Sequence, residues 1–291
     1  MEAEEPAVVR AAASQALTRR EFGAVALAAG GLTLLQKAAP PIGVQSYSFR
    51  DRSLADAIAA MNKLGLASCE LWQSHVEPRG ISREELRQWR ETVPLDHFHA
   101  VRDQLAEAKI TLNAYNISIT DSFSDQELER AFDMTTALGA PLITSSSNIK
   151  TVERIAPVAQ RRKMVVAMHN HSRIDPNEFA TANSLTEAMA KNRYIWTNLD
   201  IGHFTAANQD AVAFIKQHHN RIVTLHLKDR KRDQGPNVEF GAGDTPIVEV
   251  LKLVAGNRWP LPMNIEYEYK GGDTVAEVGK CLAYCRKALG L

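Results

Sequence analysis

The run Asn198-Leu199-Asp200-Ile201-Gly202-His203 follows Tyr194-Ile195-Trp196 and leads into Phe204-Thr205-Ala206-Ala207. It reads as a buried strand that ends in a carboxylate, a glycine turn and a histidine. Side chains alternate along a strand, so Asn198 and Asp200 share one face. A carboxylate at a strand end, with an imidazole three residues on, is half of a metal or acid/base site. An aspartate before a turn also serves simply as a cap. The first reading gains weight because other strand-like runs end in the same chemistry.

Those runs recur along the chain. Strand character is expected over 42–47, 67–72, 110–115, 141–145, 163–169, 194–200, 221–228 and 262–268. A helical segment follows each one. Ser53 caps a helix with Leu54, Ile58, Met61 and Leu64 on one face, and Gly65 stops it. Ser82 with Glu85 and Ser124 with Glu127 have capping-box form, and another helix is opened at Ser184. Eight strand–helix pairs in about 250 residues predict a single α/β domain, a closed (β/α)8 TIM barrel over 42–291. An open doubly wound sheet would carry a glycine-rich turn after its first strand, and none is present.

Composition bounds the function. The 291 residues are 45% hydrophobic, with 34 basic and 34 acidic side chains. That balance disfavours a protein built to neutralise nucleic-acid phosphates. Cys69, Cys281 and Cys285 make no disulfide framework and are expected to be small buried apolar residues. Residues 1–39 read as an address: Thr18-Arg19-Arg20-Glu21-Phe22 precedes an apolar stretch from Gly23 to Leu35, resembling a twin-arginine export signal. The expected location is the periplasm, with no stable membrane span after export.

In a barrel of this kind the active site lies at the C-terminal ends of the strands. Strand two delivers Glu70 there. Strand five delivers His169, Asn170 and His171, and strand six Asp200 with His203 just beyond. Strand seven carries His226 and Lys228 on one face, strand eight Glu266 and Glu268 on one face. His169, Asp200, His226 and Glu266, one from each of strands five to eight, form a mixed nitrogen/oxygen set suited to one divalent ion such as Mn²⁺, Zn²⁺ or Co²⁺.

His-Asn-His at 169–171, Leu-Asp-Ile-Gly-His at 199–203, His-Leu-Lys-Asp at 226–229 and Asn-Ile-Glu-Tyr-Glu at 264–268 resemble the xylose isomerase-like TIM-barrel superfamily. The group most similar is that of sugar phosphate isomerases/epimerases. Glu70-Leu71-Trp72 and Gly241-Ala242-Gly243-Asp244-Thr245-Pro246 resemble further segments of it. The resemblance implies a carbohydrate substrate and one divalent metal held by Glu, Asp, His and Glu. Asp200, His226 and Glu266 match that set. Ala167 stands where the strand-five Glu belongs, with His169 two residues on as its replacement, and Ala242 replaces a common loop glutamate.

The chemistry so implied is proton abstraction beside a metal-polarised sugar carbonyl. Glu266, or Glu70, would be the base, and Lys228 or His203 would stabilise the enediolate. His171, Asn198, His203 and Glu268 would hold substrate hydroxyls. The same site supports a lyase or dehydratase on an inosose or 3-keto-glycoside. Ala167 and Ala242 keep a non-catalytic sugar-binding protein in view. An apurinic-site endonuclease would need a third-strand histidine, where this chain has Asn113 and Tyr115, and a His-x-Asp after strand seven. A homo-oligomer is compatible with all of these readings.

Overall fold

The computed structural model describes residues 42–291, so the segment read as an export signal lies outside the described residues. Eight strands form one closed parallel barrel in sequence order. They are β1 Ile42–Gln45, β2 Ser68–Trp72, β3 Thr111–Asn116, β4 Ile143–Ser145, β5 Val166–His169, β6 Ile195–Asp200, β7 Ile222–Leu227 and β8 Met263–Ile265. β8 closes on β1 with Ile42 opposite Met263 and Val44 opposite Ile265. The pairing slips at two places. Register shifts between Cys69 and Glu70 against β3, and between Thr197 and Asn198 against β7. Such irregularities re-aim side chains, and here they fall at Glu70 and Asn198.

The helices are α1 Leu54–Leu64, α2 Arg83–Thr92, α3 Asp96–Glu107, α4 Asp125–Ala137, α5 Val152–Arg162, α6 Ala182–Lys191, α7 Ile201–Ala206, α8 Ala211–His218, α9 Ile247–Gly256 and α10 Thr274–Leu289. The expected signals at their ends are in place. Ser53 accepts from the Asp56 amide, Gly65 closes α1 at φ 68°, and Ser82–Glu85 and Ser124–Glu127 are reciprocal capping boxes. The core lies between the strands and the helices and includes Trp196, Phe98, Phe132 and Phe204, all fully buried. The three cysteines are buried free thiols. No helix among the described residues is long and apolar enough to cross a membrane.

Most strands are a few residues shorter than the sequence reading, and three other differences have a local cause or bear on the site. The helix expected to open at Ser184 begins one turn earlier, because Thr181 and Ser184 cap each other's amides at 3.2 Å. The last strand stops at Ile265, so Glu266 and Glu268 stand on the loop that leaves the barrel. The glycine turn after Asp200 is the first turn of α7. A Cβ on Gly202 would lie 2.6 Å from the Lys228 carbonyl oxygen. Glycine therefore serves close packing of α7 on the end of β7.

A candidate metal and acid/base centre at the barrel mouth

Asp200 is at once the cap and the candidate ligand. Its Oδ1 accepts the His203 amide at 2.6 Å, which starts α7. Its Oδ2 is buried and accepts no hydrogen bond. Asn170 fixes the strand end behind it, donating to the Asp200 carbonyl at 3.0 Å and accepting its amide at 2.9 Å. The ligand atoms of His169, Asp200, His226 and Glu266 all lie within 4.8 Å of one another, and all four residues are buried.

The hydrogen bonds beneath them fix the proton positions. Glu70 reaches across the barrel axis from β2 and is fully buried. Its Oε1 accepts from Thr144 at 2.6 Å and Gln45 at 3.2 Å. Its Oε2 accepts from His226 Nε2 at 2.9 Å, Asn264 at 3.0 Å, Thr224 at 3.3 Å and Asn198 at 3.4 Å. A carboxylate only accepts, so Asn198 presents its amino group to Glu70 and its oxygen to His169 Nδ1, 2.7 Å away. His169 therefore carries its proton on Nδ1, and the Nε2 lone pair is left for a cation. This is the outer support that histidine ligands generally use.

His226 lies between two carboxylates, with Nε2 on Glu70 and Nδ1 2.9 Å from Glu266 Oε2. Burial opposes its charge, but Glu70 and Glu266 outweigh that and raise its pKa well above the usual histidine value. Burial pushes the Glu266 carboxyl up, yet Lys228 and His226 hold it well below its ordinary range. Burial raises Asp200, with Lys228 pulling the other way.

Above this floor is a polar cavity of about 140 Å³. That is small beside the roughly 300–1,000 Å³ of sites for drug-sized ligands, and it suits a small, hydroxyl-rich molecule. His169, His171, His203, His226, Lys228, Glu266 and Glu268 line it, with Gln45, Tyr47, Trp72, Asn116, Ser118 and Ser146. Two residues assigned from sequence to base or substrate contact are elsewhere. Glu70 and Asn198 are fully buried beneath the cavity and do not line it. Their hydrogen bonds make them supports for His226 and His169.

The loop over the mouth is pinned by Asp229. Its carboxylate accepts the amides of Gly241 at 2.7 Å, Gly243 at 3.0 Å and Thr245 at 3.2 Å. The next residue, Arg230, donates to His203 Nδ1 at 2.7 Å. His169, His171 and His203 form a second overlapping set of ligand type. Both His203 nitrogens face cations, Arg230 and Lys228, so that set suits a cavity wall better than a cation.

His75, His169 and His171 are each pushed down to about 4, chiefly by burial. Each is neutral when folded and takes a proton on unfolding below its ordinary 6.5. Unfolding is then favoured as pH falls from about 6.5 to about 4, by up to about 3 kcal/mol per histidine at about 1.4 kcal/mol per pKa unit. Metal-stripped protein should melt progressively lower across that window, and a melting temperature flat from pH 7 to 4.5 would contradict the buried neutral placement.

Residues 58–287 match a family model described as xylose isomerase-like TIM barrel. No protein of curated function matches the chain by sequence. Among solved structures, the 3-keto-D-glucoside 4-epimerase of E. coli in its apo form superposes with TM-score 0.65 at 12% identity, covering 84% of this chain and 98% of that one. The probable 3-DHS dehydratase of petrobactin synthesis from Bacillus anthracis gives 0.64 at 16%, covering 86% and 99%. A sugar phosphate isomerase/epimerase from Parabacteroides distasonis gives 0.60 at 16%, covering 87% and 97%. At these identities the likeness is one of fold. With 58–287 matched and the barrel closed in sequence order, the chain belongs to the xylose isomerase-like TIM-barrel family.

Proposed function

We propose that the chain is a metal-dependent isomerase or epimerase acting on a keto-sugar or sugar phosphate. The observation that carries this is the buried convergence of His169, Asp200, His226 and Glu266 under a polar cavity. Two nitrogen and two oxygen donors suit a divalent ion such as Mn²⁺, Zn²⁺ or Co²⁺, for which His226 would give up its Nδ1 proton and keep Nε2–H on Glu70. Asp200 Oδ2, which accepts no hydrogen bond and has the Lys228 ammonium 3.0 Å away, fits the same reading. So does the charge balance: the carboxylates of Glu70, Asp200, Glu266 and Glu268 pair directly with Lys228 and His226, and Arg230 adds a more distant positive charge.

A bound ion would polarise a substrate carbonyl and acidify the neighbouring carbon. Glu266, ionised and at the cavity floor, is placed to take that proton. Lys228 and Glu268 are placed to hold oxygens of the substrate, and neutral His171 and His203 to donate or accept along the wall. The substrate is a small carbohydrate. An exported, periplasmic location rests on Arg19-Arg20-Glu21-Phe22 and the apolar stretch after it.

One observation favours a second reading, a lyase or dehydratase. With Ala167 on β5, Glu266 has no second glutamate facing it across the ligand set. Elimination needs one base and a donor to the leaving oxygen rather than two matched carboxylates, and the Lys228 ammonium on the cavity wall can be that donor. A nuclease is disfavoured: Asn113 of β3 is tied to Ser68 and Asn264, and Asp229 is spent on loop amides.

Metal analysis by mass spectrometry tests the reading. About one divalent ion per chain is expected after loading, and close to none in His169→Ala, which removes one of four donors. Keto-sugars and 3-keto-glycosides screened in D2O would then separate isomerase from lyase, by deuterium incorporation with or without loss of a substituent. A wild-type chain that takes up no Mn²⁺, Zn²⁺ or Co²⁺ would falsify the mechanism and leave a binding protein.

A further inference from the structure

The Lys228 ammonium sits among the candidate ligands themselves. Nζ lies 3.0 Å from Asp200 Oδ2, 2.9 Å from Glu266 Oε2 and 2.6 Å from Glu268 Oε2. It is also 3.0 Å from His203 Nε2. The side chain is 2% exposed. Two of these partners, Asp200 and Glu266, belong to the four-residue ligand set. A divalent ion coordinated by the same two oxygens would stand within a few ångströms of the ammonium, where like charges repel strongly in a buried site.

The seat fits a cation but not this cation well. An ammonium has three N–H groups for four neighbours. Asp200 Oδ2 accepts no hydrogen bond from it despite the short distance. His203 faces Lys228 with one nitrogen and Arg230 with the other, and a neutral imidazole accepts at only one. One of the two cations therefore confronts an N–H.

We propose that Lys228 is the resident counter-cation of this site: it holds Asp200, Glu266 and Glu268 together when no ion is bound, and a divalent ion enters by displacing it from Asp200 and Glu266 towards Glu268. The inference rests on the metal reading above. It has two consequences. Metal binding is weaker than the four donors alone would give, because the ion must first move a paired ammonium. The ammonium, which already borders the cavity, is then freed of Asp200 and Glu266 and keeps the partly exposed Glu268 as its carboxylate partner. Metal loading and presentation of Lys228 to a substrate oxygen are then one event.

Calorimetric titration of metal-stripped protein with Mn²⁺ tests this, with melting curves of the same samples. Lys228→Met should bind Mn²⁺ at least tenfold more tightly than wild type. Its metal-free form should melt lower by about 5 °C or more, since three carboxylates lose the cation they share and only Glu266 keeps another, His226, and Mn²⁺ should recover that loss. Lys228→Gln keeps the length without the charge and replaces Lys228→Met if the latter does not fold. Lys228→Arg, still charged, should show no gain in affinity. Equal or weaker Mn²⁺ binding by the neutral variants overturns the displacement and leaves the metal reading standing. A blank titration for wild type and variants alike overturns both, and is told apart by the silence of the wild type.

Discussion

Glu266→Gln is expected to slow proton exchange on any substrate found by the screen by about 10²–10⁴-fold, the usual worth of a positioned general base. The carboxylate is the one in the set that combines three properties. It lines the cavity, it is held ionised by Lys228 and His226, and its Oε2 is 2.9 Å from both of their nitrogens. Glutamine keeps the shape and loses the basicity. Its amide must turn the oxygen to His226 and Lys228, since both present donors. Folding should survive, so the loss should appear in kcat with saturating Mn²⁺ present rather than in soluble yield. Exchange within tenfold of wild type would remove Glu266 from the role of base and point to Glu268, the other carboxylate on the cavity.

The fold was legible because its signals are local and repeated. Ser53, Ser82 and Ser124 cap where capping chemistry says they should, and each strand-like run is answered by a helix. Strand parity also placed Asp200, His226 and Glu266 at one end of the barrel on inward faces, and the structure brings them together with His169. Depth along the barrel axis was not legible. Glu70 and Asn198 have the right parity for the cavity, yet both lie below it. Strand tilt and the register slips at these two residues set their height. Asn264, Thr224 and Thr144 hold Glu70 and went unremarked. The first two stand two residues before Glu266 and His226, so parity alone had marked their faces. Nothing local tells a strand threonine that caps nothing from one that holds a buried carboxylate. Lys228 is a similar case: its fold-back onto Asp200 depends on α7 packing closely at Gly202.

Glu70→Ala should destabilise the protein by about 3–5 kcal/mol, the range for breaking a buried ion pair by removing one partner. Six side chains donate to this carboxylate: Gln45, Thr144, Asn198, Thr224, His226 and Asn264. Alanine removes the shared acceptor at the centre of the barrel; Asn198 and Asn264 keep second partners in Thr224 and Asn113, but Gln45, Thr144 and Thr224 lose theirs, and the His226 charge is left uncompensated on one side. Burial raises the Glu70 carboxyl, and His226 with its other donors brings it below the ordinary value, so the folded state loses an ionised group. For a domain of this size about 1 kcal/mol moves the melting temperature by about 2–4 °C, so a drop near 10 °C is the expected reading. Glu70→Gln should lose less, about 1–3 kcal/mol. Its oxygen can serve the side shared by His226 and Asn264, and its amino group can meet a Thr144 hydroxyl turned to accept. The pair of variants also decides between the two roles open to Glu70. A base would show proton exchange abolished by Gln with the melting temperature unchanged. A support beneath the site would show stability lost in the order Ala before Gln, with exchange falling only as far as His226 loses its fixed orientation. The geometry favours the second outcome, because a carboxylate saturated by six donors and absent from the cavity wall has no free lone pair to offer a substrate proton.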